Sequence, residues 1–103
     1  MADLIGKKIL MVIAPHNFRD EEFQEPKHVF ESSGAEIIVA SKGVKEAKGM
    51  LGAKAKVDID LSQAEINDYA AVVFVGGSGS AIYFQDQIAF DLAESAVKQN
   101  KVV

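Results

Sequence analysis

A single α/β domain spanning residues 1–103, with a mainly parallel sheet that this chain leaves incomplete, is the fold the sequence predicts. Three observations carry that expectation. Residues 8–14, 36–41 and 71–75 are short apolar runs rich in β-branched residues, as strands buried on both faces are. A helical stretch separates the first two runs, which implies a right-handed crossover and parallel pairing. The third run ends in Gly76-Gly77-Ser78-Gly79-Ser80, a tight loop at a strand's carboxyl end, where open parallel sheets bind ligands.

Residues 8–14 read as a central strand, which Pro15 ends. Residues 15–22 read as a polar loop. A helix is expected to start between Asp20 and Pro26, with the proline in its first turn. Asp20, Glu21, Glu22 and Glu25 suit the positive end of its dipole. Phe23, Val29 and Phe30 are spaced to face the sheet, and Gly34 is a stop signal just past Ser33. The strand at 36–41 follows. Residues 42–55 are rich in glycine and lysine and read as a surface excursion. They suggest a hairpin that ends in an alternating edge strand at 56–60. Ser62 and Glu65 have capping-box spacing, so a short helix is expected after them.

Beyond the glycine loop, residues 87–100 place Ile88, Leu92 and Ala96 on one helical stripe, with Asp86 as its cap. Residues 101–103 look like the start of another strand. The expectation is that the sheet continues in a further carboxyl-terminal segment or a companion chain.

Composition narrows the function classes. Apolar residues make up 49% and charged residues 25% of the chain, with a net charge of −4, so there is no basic footprint for nucleic acid. No run is long enough to cross a membrane as a helix, and the first residues lack a signal peptide's order. A cytoplasmic location is expected. The absence of cysteine removes disulfides and thiolate metal sites from these residues. Two histidines far apart give no metal spacing, and Asp58 with Asp60 suits a solvated edge better, so no metal is expected. No cofactor is expected either. The glycine–serine loop matches neither a Walker loop nor a dinucleotide fingerprint.

The candidate site joins Glu22 to Gly76 and Gly77. A carboxyl group near Phe18 and Phe23 can share a proton with a reactive atom, and backbone amides in a glycine turn can stabilise an oxyanion. His16 and Ser78 are candidates for lining the pocket. What the constellation lacks is a nucleophile.

The run from Phe18 to Pro26, together with Val75-Gly76-Gly77, Gly34-Ala35-Glu36 and Lys101-Val102-Val103 in matching order, resembles the PfpI/ThiJ family of intracellular proteases, amidases and deglycases. The resemblance spans nearly all of the chain. It implies a flavodoxin-like three-layer sandwich akin to glutamine amidotransferases. It implies that Glu22 hydrogen-bonds a reactive thiol and that Gly76 and Gly77 form the oxyanion side. That family's cysteine follows the segment matched by residues 101–103, so it is expected after Val103. Val75 replaces the family's proline. Ala81 stands where protease-like members carry a glutamate, which favours reactions that need only thiol, glutamate and oxyanion hole.

The implied activity is a cysteine-dependent hydrolase or lyase acting on a small carbonyl or amide substrate, or on a peptide, in a homo-oligomer. Residues 1–103 alone are expected to be inactive. The alternative is a non-catalytic redox-sensing or chaperone-like stress protein of the same fold. A phosphate or nucleotide binder is a third reading, resting on the glycine–serine loop alone.

Overall fold

The computed structural model describes residues 6–77. In chain order the elements are β1 (Lys8–Val12), β2 (His16–Phe18), α1 (Asp20–Ser32), β3 (Glu36–Ser41), β4 (Glu46–Gly49), β5 (Lys54–Lys56), β6 (Ile59–Asp60) and β7 (Ala71–Phe74). Short 3-10 turns lie at Leu61–Gln63 and Ile66–Asp68. The helix expected at 87–100, the strand expected at 101–103, Ser78 and Ala81 lie outside the described residues.

Strand β1 is apolar at every position after Lys8 because both of its faces are covered. Side chains alternate across a strand. Ile9 and Met11 enter one core with Ile13, Phe18, Phe23, Ile37 and Val39. Leu10 and Val12 enter the other with Ala40, Leu61, Tyr69 and Val72. The main sheet runs β6-β3-β1-β7, and all of its pairings are parallel. Ile9 stands opposite Ile37 on one side and Ala71 on the other. This is the mostly parallel α/β architecture expected, with β1 central as read. Strand β7 is less enclosed than its composition suggested: Val72 is buried, while Ala71, Val73 and Phe74 are half-buried.

Helix α1 departs from expectation in two respects. It begins at Asp20, so Pro26 falls inside it rather than in its first turn. Proline has no N–H for the carbonyl four residues back, here that of Glu22. Phe23 is buried and Phe30 packs on the core, but Val29 is 58% exposed. The stop at Gly34 is as read. Gly34 has φ +96°, its amide donates to Glu31 O at 3.0 Å, and the Ala35 amide donates to Phe30 O at 3.0 Å. That pair of bonds is a Schellman cap, which a Cβ at Gly34 would strain.

The stretch read as a polar loop holds a strand. β2 pairs in parallel with β4, and β4 pairs antiparallel with β5, forming a second three-stranded sheet. The hairpin is therefore present, but its second arm is β5 at Lys54–Lys56. The edge strand read at 56–60 is split, and only Ile59–Asp60 joins the main sheet, beside β3. The capping box sits earlier than read. Asp60 accepts from the Ser62 amide at 3.0 Å, while Gln63 Oε1 accepts from the Asp60 amide at 3.1 Å. Asp58 Oδ2 accepts from the Val39 amide at 2.8 Å, closing the free edge of β3. Both aspartates are thus structural. No described helix is long and apolar enough to cross a membrane.

Candidate functional site

Parallel pairing of β1 with β7 brings the chain leaving β1 alongside the chain leaving β7. The Val75 amide donates to Val12 O at 3.0 Å, extending that ladder to the sheet's carboxyl edge. Just beyond it, the Arg19 amide donates to Gly76 O at 2.8 Å. Residues 17–19 then lie directly against the glycine pair. Gly77 has φ +117°, and a Cβ there would stand 2.6 Å from both the Arg19 amide nitrogen and the Asn17 carbonyl oxygen. Only glycine accommodates both the conformation and the approach. Asn17 answers with φ +59°, the left-handed region that asparagine tolerates best among residues with a Cβ.

This contact delivers Glu22. In the first turn of α1, Glu22 Oε1 accepts from the Gly76 amide at 3.1 Å, across 54 residues of sequence. A Cβ on Gly76 would lie 2.6 Å from that oxygen. Arg19 Nε stands 3.6 Å from Glu22 Oε2 but makes its shorter contact, 2.7 Å, with Glu21 Oε1. That hydrogen bond lowers the Glu21 pKa below its ordinary value and raises that of Arg19. The pair is solvent-exposed and steadies the helix start only weakly.

The structure therefore brings Glu22 and Gly76 together and packs Gly77 against residues 17–19. The two glycines differ in what they do: the Gly76 amide is engaged by the Glu22 carboxylate, while Gly77 permits the close approach of residues 17–19. His16 is exposed at the start of β2, in register with Lys48. Ser78 lies outside the described residues. No cluster of three metal-ligating side chains occurs among the described residues. An open groove of about 530 Å³ runs between α1 and the strands β3 and β5, lined by Phe23, Lys27, His28, Ile37, Lys54 and Asp58 among others. None of its described lining residues is Glu22, Gly76 or Gly77.

Sequence reasoning missed Asp20. It treated this residue as one of several helix-start charges. The structure buries it and turns its carboxylate onto the amides of Leu51 and Ala53, each at 2.9 Å. Those amides, the Leu51 amide foremost, hold its pKa below the ordinary aspartate value against the opposing effect of burial. Its partners lie 31 and 33 residues away, so no local spacing could have signalled them.

Comparison with known proteins adds to this geometry. The family model described as the DJ-1/PfpI family matches residues 7–103. An uncharacterised protein of Methanocaldococcus jannaschii is 44% identical over 97 residues, covering 93% of this chain and 47% of its own. An uncharacterised protein of Staphylococcus aureus is 31% identical over 72 residues, covering 69% of this chain and 42% of its own. Among solved structures, a ThiJ/PfpI domain protein from Brachyspira murdochii superposes with a TM-score of 0.89 at 36% identity, over 93% of this chain and 56% of that one. Oxidised Toxoplasma gondii DJ-1 has a TM-score of 0.84 at 22% identity, over 93% of this chain and 53% of its own, and shares the fold. The chain spans about half the length of the relatives it matches.

Proposed function

The chain belongs to the DJ-1/PfpI family, and from that premise we propose that the complete protein is a cysteine-dependent hydrolase or lyase acting on carbonyl groups. Peptidase, amidase, deglycase and glyoxalase-like reactions all fall within that chemistry. The thiolate would attack the carbonyl carbon. Residues 1–103 contain no cysteine, so the sulfur comes from outside them. Glu22 hydrogen-bonds the thiol and exchanges a proton with it, while the Gly76–Gly77 turn lies on the side where the oxyanion forms.

One observation carries this reading. Glu22 Oε1 is held by the Gly76 amide at the carboxyl edge of the sheet, where parallel α/β folds bind their ligands. The Glu22 side chain is also 48% exposed, so the carboxylate is anchored by that amide and still open to a reacting group.

The test is Glu22→Gln in the full-length protein, assayed with an α-oxoaldehyde, a peptide amide and a glycated amine. Turnover is expected to fall on the order of 10²-fold or more, the usual scale for a lost acid–base group. Unchanged turnover and unchanged cysteine oxidation would remove Glu22 from the mechanism. Oxidation that depends on Glu22, with no turnover of any of the three substrates, would favour a redox-sensing protein of the same fold.

A further inference from the structure

Asp20 lies two residues before Glu22 and is 6% exposed. A carboxylate in the first turn of a helix is ordinarily served by solvent and the helix dipole. This one reaches away from the helix. Oδ1 accepts from the Leu51 amide and Oδ2 from the Ala53 amide, both in the turn between β4 and β5. Gly49 makes room for it, since a Cβ there would lie 2.5 Å from Asp20 Cγ.

The turn has its own closure without Asp20. The Gly49 amide donates to Ala53 O at 2.7 Å, and the Gly52 amide to Gly49 O at 3.1 Å. The carboxylate's effect therefore falls on the helix. Helix α1 is short of internal support at this point, because Pro26 has no N–H for the Glu22 carbonyl. Nor does a side chain cap its start at Arg19. The same hairpin also holds the chain leading into α1. The Lys48 amide donates to Pro15 O at 3.1 Å, and the Met50 amide to Phe18 O at 2.8 Å.

We propose that Asp20 is a positioning residue, whose grip on the β4–β5 turn sets the first turn of α1 so that the Glu22 carboxylate meets the Gly76 amide. The hairpin thereby acts on Glu22 through Asp20. The structural half of this proposal stands on the contacts above. Its catalytic half rests on the reading of Glu22 as the proton-exchanging group.

The experiment follows the Gly76 amide by NMR in the full-length protein, by resonance position and by hydrogen-exchange protection. Two variants break the grip from opposite sides: Asp20→Asn replaces an acceptor by a donor, and Gly49→Ala pushes the carboxylate out while leaving α1 unaltered. Both are expected to move the Gly76 resonance and lower its protection. Val29→Ala, on the exposed face of the same helix, is expected to do neither. In the unaltered protein the amides of Leu51, Ala53 and Gly76 are expected to exchange as one cooperative unit.

Folded variants with a wild-type Gly76 amide would overturn the proposal. So would independent exchange of the three amides in the unaltered protein, a measurement that needs no variant to fold. In the kinetic arm, kcat is expected to fall about tenfold to a hundredfold, as misplaced catalytic groups do, with a smaller change in KM. If Glu22→Gln retains full turnover, the catalytic reading fails while the amide measurements still judge Asp20.

Discussion

At Gly76 an added methyl group meets the end of a flexible side chain, Glu22 Oε1; at Gly77 it meets backbone. The two adjacent glycines should therefore respond differently to the same substitution. Gly76→Ala displaces a carboxylate that can swing aside, so its unfolding midpoint in urea should stay near wild type. Its turnover should fall as far as that of Glu22→Gln. Gly77→Ala must hold φ +117° and move residues 17–19, a strain on the order of 1–3 kcal/mol. Urea unfolding of both, alongside turnover, checks the contrast. Equal stability losses would mean that the loop relaxes around either methyl. The sequence marked Glu22 and both glycines by type and place. It could not divide their labour, because that depends on which amide points at which carboxylate across the sheet edge.

Two aspartates join elements that sequence places far apart, and both make folding depend on pH. Asp20 ties α1 to the β4–β5 turn, and Asp60 ties β6 to the 3-10 turn through the Ser62 hydroxyl and to the Gly43 amide at 2.8 Å. Hydrogen bonds to the charged form hold both below the ordinary aspartate value: for Asp20 the Leu51 amide first, for Asp60 the Ser62 hydroxyl first. The unfolded chain then takes up protons at higher pH than the folded one. Their contribution is complete above the unfolded value of about 3.9 and is lost as pH falls through the lower folded values. Urea midpoints from pH 7 to pH 2 should show the decline setting in near pH 4. In Asp60→Asn the protein should be weaker at neutral pH, with a shallower decline. An unchanged slope would show that Asp60 titrates alike in both states. Start signals between Asp20 and Pro26 and the Gly34 stop located α1, and apolar continuity located β1 and β3. Strand β2 escaped notice because three residues with one buried side chain, Phe18, carry no period, and its partner β4 lies beyond α1 and β3.

Two buried layers, one on each face of β1, hold the described residues together, and β1 pairs directly with β3 and β7. Leu10 is fully buried in the layer formed with Leu61, Tyr69 and Val72. Leu10→Ala should cost about 2–5 kcal/mol, as core truncations that leave a cavity do. Denaturant unfolding followed by circular dichroism and by tyrosine fluorescence should give one coincident transition. A loss below 1 kcal/mol would mean that the layer collapses around the gap. Glu22 follows β1 and Gly76 follows β7, and those two strands pair, so the site inherits its geometry from a strand buried at every position after Lys8.

Residue order alone determined the fold class, the centrality of β1 and the pairing of a carboxylate with a glycine turn. Apolar runs, helix periods and glycine punctuation are local signals that short windows of sequence carry. Tertiary structure alone decided that Gly76 holds Glu22 while Gly77 admits the backbone, and that Asp20 grips a hairpin rather than facing water. Those outcomes depend on atoms brought close together across 31 or more residues of sequence. Such contacts are fixed only once the sheet has set its register.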